Sequence, residues 1–187
     1  IIFQFSTPVL LLIVDNLSRG KLDKDFKELL KNKNINFKKI DISHSKLKIA
    51  NNFDFIFNFA AIVGVQNVNL KPDQVLEKNV LLQLASIKIA QSQKKLKKFI
   101  FSSTSEIYSG SLNNNLIKFP TPEDNLICLN KLDNSRHTYM LSKIYGEAIC
   151  NFSKIPFVIV RLHNIYGPRM GMQHVIPQWI IRVLKQK

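Results

Sequence analysis

Tyr139 and Lys143 stand four residues apart in "TYMLSK" (138–143), a step that on a helix stacks a phenol and an ammonium on one face. A phenol ionises near pH 10 and a nearby cation favours its phenolate, so such a pair can take a proton from an alcohol. The spacing alone does not decide this, because with four tyrosines and many lysines it also arises on ordinary helix surfaces. A second group follows the apolar run "KFIFSST", which ends in Ser102, Ser103 and Thr104, with Glu106 and Tyr108 just beyond. Ligands of parallel α/β sheets bind beyond the carboxyl ends of the strands, so Thr104 and Glu106 would face one site. The structural alternative is a hydroxyl-rich surface turn. Asp15 closes another apolar run, "LLLIVDNLSRG". In a dinucleotide-binding fold the acid after the second strand binds the adenosine ribose hydroxyls, which favours NAD. Otherwise the Asp-Asn pair forms a turn. Arg19 nearby is a guanidinium that would accommodate a 2′-phosphate.

These groups need rigid elements to position them. The runs "VLLLIV" (9–14), "FDFIFNFAA" (53–61), "FIFSS" (99–103) and "FVIVRL" (157–162) are apolar on both faces, as strands of a helix-covered parallel sheet must be. "NFKKIDI" (36–42) is more polar and suits a sheet edge. Helices are expected over 22–32, over 72–92 behind Pro72, and over 135–152 ahead of Pro156. The alternation predicts an α/β fold, a Rossmann-like doubly wound parallel sheet. In the helix from Pro72, apolar residues occupy most of the circumference (Val75, Leu76, Val80, Leu81, Leu82, Leu84, Ile87, Ile89). One face can cover the sheet; the other needs a further layer or a second subunit.

At 187 residues and 45% apolar content the chain can bury one sizeable core. The opening "IIFQFSTPVLLLIV" is short, has no basic leader and is interrupted by Gln4, Ser6, Thr7 and Pro8, so it reads as neither a signal peptide nor a membrane span. Cys128 and Cys150 lack metal-type spacing, and no pair of the four histidines suggests a metal site, so two free thiols in a cytoplasmic protein are expected. The formal charge of +14 and the run "KKLKK" (94–98) raise the question of nucleic acid. The excess is mostly lysine, alongside abundant asparagine, isoleucine and phenylalanine, as an AT-rich coding bias produces. No aromatics are interleaved with the basic run to stack bases, so nucleic acid is not the expected partner.

Taken in order, "VDNLSRG", "FNFAA", "FIFSSTSEIYSG", "TYMLSKIYGEA" and "RLHNIYGPRM" resemble the NAD-dependent epimerases and dehydratases of nucleotide sugars, the extended branch of the short-chain dehydrogenase/reductases. The resemblance covers about residues 9–182. It implies tightly bound NAD, transient oxidation at a sugar C4, and a homodimer paired through helices near 72–92 and 135–152. Tyr139 would be the base and Lys143 its cation, which also holds the nicotinamide ribose. Thr104 would hydrogen-bond the reacting hydroxyl. Glu106, in "TSE" (104–106), is similar to decarboxylases and 4,6-dehydratases more than to 4-epimerases, since an acid/base there serves chemistry at C5 once C4 is a ketone. Asp15, Asn16, Asp41, Ile42, Phe59, Ala60, Ala61, Asn79 and Ser102 would border the cofactor. Asn164 would meet the nucleotide sugar, Arg169 would either neutralise its diphosphate or form a structural ion pair, and His163 would form part of the site wall.

The family's opening unit, a strand, a Gly-x-x-Gly-x-x-Gly turn and a helix that holds the pyrophosphate, has no counterpart among the six glycines at 20, 64, 110, 146, 167 and 171. The sequence therefore reads as a fragment that lacks the first βα unit and most of the substrate domain. Residues 1–8 are an unassigned remnant, 9–165 an incomplete NAD-binding domain and 166–187 the start of a substrate-binding region. The competing reading is a non-catalytic module that keeps the fold and uses its basic surface on RNA or another polyanion.

Overall fold

A computed structural model describes residues 10–43, 52–129, 131–168, 170–172 and 174–185. The expected remnant at 1–8 lies outside them. In chain order the elements are β1 (Leu11–Asp15), α1 (Lys24–Leu29), β2 (Ile35–Lys39), β3 (Phe55–Asn58), α2 (Val65–Leu70), α3 (Pro72–Gln91) and β4 (Lys98–Thr104). A 3₁₀ turn (Ser105–Tyr108), α4 (Ser109–Asn113), α5 (His137–Phe152), β5 (Phe157–Leu162) and α6 (Val175–Lys185) follow.

Every strand pairing among the described residues is parallel. β1 pairs with β2, Ile13 opposite Phe37. β4 lies between β3 and β5, with Phe101 opposite both Asn58 and Ile159. Among the described residues no ladder joins the two sheets. The break falls between β1 and β3, where the doubly wound order 3-2-1-4-5-6 puts one further strand. The α/β class and the incomplete sheet both agree with the sequence reading. β2 is an edge strand, as its polar composition implies.

Local chemistry accounts for the helix ends. Asp23 caps α1 by accepting from Phe26 N at 2.9 Å. This helix is shorter than the expected 22–32, because turns take over beyond Leu29: Asn32 N donates to Leu29 O, and the Asn32 side chain accepts from Asn34 N. Pro72 opens α3 at the position where a missing N–H costs nothing. The short α2, α4 and 3₁₀ turn were not expected, since none is long enough to show a periodic pattern.

The core lies between β4 and the helix pair α3 and α5. Ile87, Ala90, Phe99, Phe101 and Cys150 form its buried centre, flanked by Ile56, Ile149, Phe157 and Ile159. α5 approaches the sheet closely at Gly146, where a Cβ would overlap the Phe101 ring. The expectation that the strands are covered on both faces is not met. Phe55, Phe57 and Val158 are exposed, because α3 and α5 both pack on the Phe99 and Phe101 side and no described helix lies over the other. α6 is amphipathic, yet its described side chains are all at least partly exposed.

Candidate active site

The carboxyl end of β4 and the first turns of α5 bring the expected acid–base residues together. Thr104 ends the strand, is nearly buried, and caps the 3₁₀ turn by accepting from Glu106 N at 3.3 Å. Tyr139 is half-buried on α5. Burial, and after it the Glu106 carboxylate, raise its phenol above the ordinary tyrosine value, whereas a hydrogen bond with the Thr104 side chain lowers it. The Tyr139 phenol oxygen thus has the Thr104 side chain as a hydrogen-bond partner and feels the charge of Glu106. In the protein alone that oxygen is held protonated, and a positive charge bound beside it would favour ionisation.

Lys143 lies one turn along α5 from Tyr139, 4% exposed. Its Nζ stands 5.7 Å from the Tyr139 ring centroid and 5.0 Å from that of Phe101. It donates to Ser102 O at 2.7 Å. Burial brings the ammonium down to about 8, so it remains mostly charged at neutral pH. Ser102 Oγ in turn donates to Asn58 O at 3.0 Å, which ties the end of β4 to the end of β3.

The segment after β3 carries Phe59, Ala60 and Ala61, and buried side chains set its path. Asn58 Oδ1 accepts from Ala60 N at 3.2 Å, and Asn58 Nδ2 donates to Gln83 Oε1 at 2.6 Å. Asn79 clamps Ile62, accepting from its N at 2.7 Å and donating to its O at 3.1 Å. The same Nδ2 is 3.3 Å from Ser142 Oγ, whose hydroxyl donates to Tyr139 O at 2.6 Å. Asn79 therefore links this segment to the helix of Tyr139. Asn58, Gln83 and Ser142 escaped the sequence reading; their signal was polar residues inside apolar runs, where burial demands partners.

Asp15, Asn16, Asp41 and Ile42 sit in the separate β1–β2 unit. Asp15 Oδ1 accepts from Leu17 N at 2.6 Å and Asn16 Oδ1 from Ser18 N at 2.9 Å, so both residues form the turn weighed as the alternative. That turn places Leu17 at φ 57. Asn16 Nδ2 also donates to Asp41 Oδ2 at 3.0 Å, while Asp41 Oδ1 accepts from Ser43 N and Oγ. The ends of β1 and β2 are thereby tied. Arg19 Nη2 lies 3.3 Å from His174 Nε2, joining this unit to the start of α6. Asn164 and His163 are exposed just after β5; Arg169 lies outside the described residues. Three or more potential metal ligands do not cluster among the described residues.

The family model described as the NAD dependent epimerase/dehydratase family matches residues 9–187. The chain belongs to that family. It is 32% identical to a UDP-N-acetyl-alpha-D-glucosaminuronate decarboxylase of Bacillus cytotoxicus, over 92% of this chain and 53% of that protein. Identity to a dTDP-D-glucose 4,6-dehydratase of Dictyostelium discoideum is 30%, over 85% of this chain and 38% of that one. A solved UDP-N-acetylglucosamine 4-epimerase from Methanobrevibacter ruminantium, in complex with UDP-N-acetylmuramic acid, superposes with a TM-score of 0.72 at 26% identity, covering 94% of this chain and 55% of that one. The chain spans between 38% and 55% of the length of these relatives.

For this NAD-dependent family the residues present fit part of a dinucleotide. A buried ammonium beside Tyr139, the clamped segment at 59–62 and an acid at the end of β1 suit the nicotinamide and ribose ends. Among the described residues Gly64, at φ 105, precedes the six-residue α2. The described residues include no helix long and apolar enough to cross a membrane.

Proposed function

We propose that the whole protein is a nucleotide-sugar enzyme of the cytoplasm that uses bound NAD to oxidise a sugar C4 transiently. Dehydratase or decarboxylase chemistry stands ahead of 4-epimerisation. The observation that carries this reading is the placing of Thr104 at the end of β4, where it caps the turn of Glu106, beside a helix on which the Tyr139 ring and the buried Lys143 ammonium lie 5.7 Å apart. Tyr139 exchanges the C4 hydroxyl proton, Thr104 orients that hydroxyl, and Lys143 supplies positive charge from within the fold. NAD, when bound, supplies the hydride acceptor. A 4-epimerase needs only the first three residues, whereas a carboxylate beside the phenol adds a proton carrier for the position next to the C4 ketone. The intact set of Thr104, Tyr139 and Lys143 argues against a purely RNA-binding module.

In the same proposal Asp15 and Asn16 hold the adenosine ribose, Asp41 and Ile42 border the adenine, and Phe59, Ala60, Ala61, Asn79 and Ser102 line the nicotinamide half. Asn164 and Arg169 receive the nucleotide sugar. The test is Glu106→Gln in the whole protein, followed by cofactor absorbance and product analysis. Elimination or decarboxylation should stall with the reduced cofactor and the 4-keto sugar retained. An unchanged product rate would refute the role of Glu106 and leave the epimerase reading.

A further inference from the structure

Arg161 is the charged residue of the apolar strand "FVIVRL", and the structure shows what it serves. Its Nε and Nη2 donate to the two carboxylate oxygens of Glu147 at 3.0 and 2.8 Å, a two-pronged ion pair. Glu147 is 6% exposed and follows Lys143 by one turn, on the α5 face that carries Tyr139. Its Oε1 also accepts from the hydroxyl of Ser103, the residue before Thr104. The third arm of the guanidinium, Nη1, donates to the Tyr108 hydroxyl and to Glu123 O. Tyr108 closes the four-residue 3₁₀ turn that carries Glu106.

One ion pair is therefore bonded to every element that holds an acid–base residue: α5 with Tyr139 and Lys143, the end of β4 with Thr104, and the turn with Glu106. We propose that Glu147 and Arg161 are positioning residues that fix the Glu106 turn against the Tyr139 helix. The inference rests on the proposed acid–base roles of Glu106 and Tyr139. Stability does not explain such a pair, because apolar residues of similar volume often replace a buried ion pair at no cost or at a gain. Direction does. A planar guanidinium presents its donors in a fixed fork, and an apolar pair could not hold three elements at set angles. The 3₁₀ turn is too short to hold itself, so its external bonds decide where Glu106 stands.

Replacing both partners separates position from stability. In the whole protein, the double variant Glu147→Leu with Arg161→Met should keep its melting midpoint within a few degrees while kcat falls at least tenfold at unchanged KM. Its Tyr139 phenol, read as the ultraviolet difference from the same protein carrying Tyr139→Phe, should titrate at lower pH as Glu106 leaves it. Tyr108→Phe keeps the ring, loses only the bond to the guanidinium, and should shift the titration the same way by less. A stable double variant with unaltered kcat and an unaltered Tyr139 titration would overturn the proposal. Should the double variant not fold, an unaltered titration in Tyr108→Phe overturns it equally. Failure of the catalytic reading looks different: the unsubstituted protein then turns over no nucleotide sugar, while the Tyr139 titration still reports whether the pair positions Glu106.

Discussion

The ammonium of Lys143 donates to the main-chain carbonyl of Ser102 at 2.7 Å, and burial lowers it from 10.5 to about 8. In the unfolded chain the lysine keeps its ordinary value, so between pH 8 and 10.5 the unfolded state binds more protons than the folded one. Stability attributable to this group therefore rises with pH across that window. Below pH 8 the folded state carries the full cost of the buried charge, roughly 3 kcal/mol. Urea unfolding at pH 7 and pH 10.5, compared between the unsubstituted protein and Lys143→Met, should show that difference closing as pH rises. A pH-independent gap between the two proteins would contradict the burial argument.

Tyr139→Phe retains the ring and removes the proton carrier. Turnover of the whole protein should fall by about 10² to 10⁴, while binding of the nucleotide sugar survives in calorimetry. Near-normal turnover would end the assignment of Tyr139 as the acid–base residue.

Gly146→Ala tests the close approach of α5 to β4. The added methyl group meets the Phe101 ring, with the helix backbone behind it. Overpacking of this kind costs about 1 to 3 kcal/mol, so thermal melting should drop by several degrees. Pairing Gly146→Ala with Phe101→Leu should recover part of the loss by opening the space.

The whole protein should be a homodimer through α3 and α5. Leu76, Val80 and Leu84 along α3, and Leu141 and Ile144 on α5, remain partly exposed after both helices have packed on the sheet. Light scattering at micromolar concentration should give twice the chain mass. A fully active monomer would contradict the pairing.

The 187 residues alone should bind NAD weakly. Without a glycine-rich turn the pyrophosphate forgoes charge-assisted hydrogen bonds worth about 1.5 to 3 kcal/mol each, and the loss of two weakens affinity by a factor of roughly a hundred or more. Calorimetric titration of this chain should show that deficit against a version joined to a glycine-rich strand–turn–helix unit. Equal, micromolar binding by both would show that these residues already hold the pyrophosphate.

Much of this was legible in the chain itself. Apolar runs separated by amphipathic stretches determined the parallel α/β order, Pro72 marked a helix start, and the step from Tyr139 to Lys143 put a phenol and an ammonium on one face, because helix geometry is local. Tertiary structure decided the rest. Only packing shows that Lys143 is buried deeply enough to bring its ammonium down to about 8, since burial depends on residues far apart in sequence. That the Asp15 and Asn16 side chains accept from Leu17 N and Ser18 N, closing a turn at the end of β1, is visible only in the fold. Arg161 stands 14 residues from Glu147 and 53 from Tyr108, and no local pattern connects a strand, a helix and a 3₁₀ turn. They meet because parallel strands side by side bring their carboxyl ends to one edge of the sheet, and a charge buried there must find its partners on whichever elements arrive at the same place.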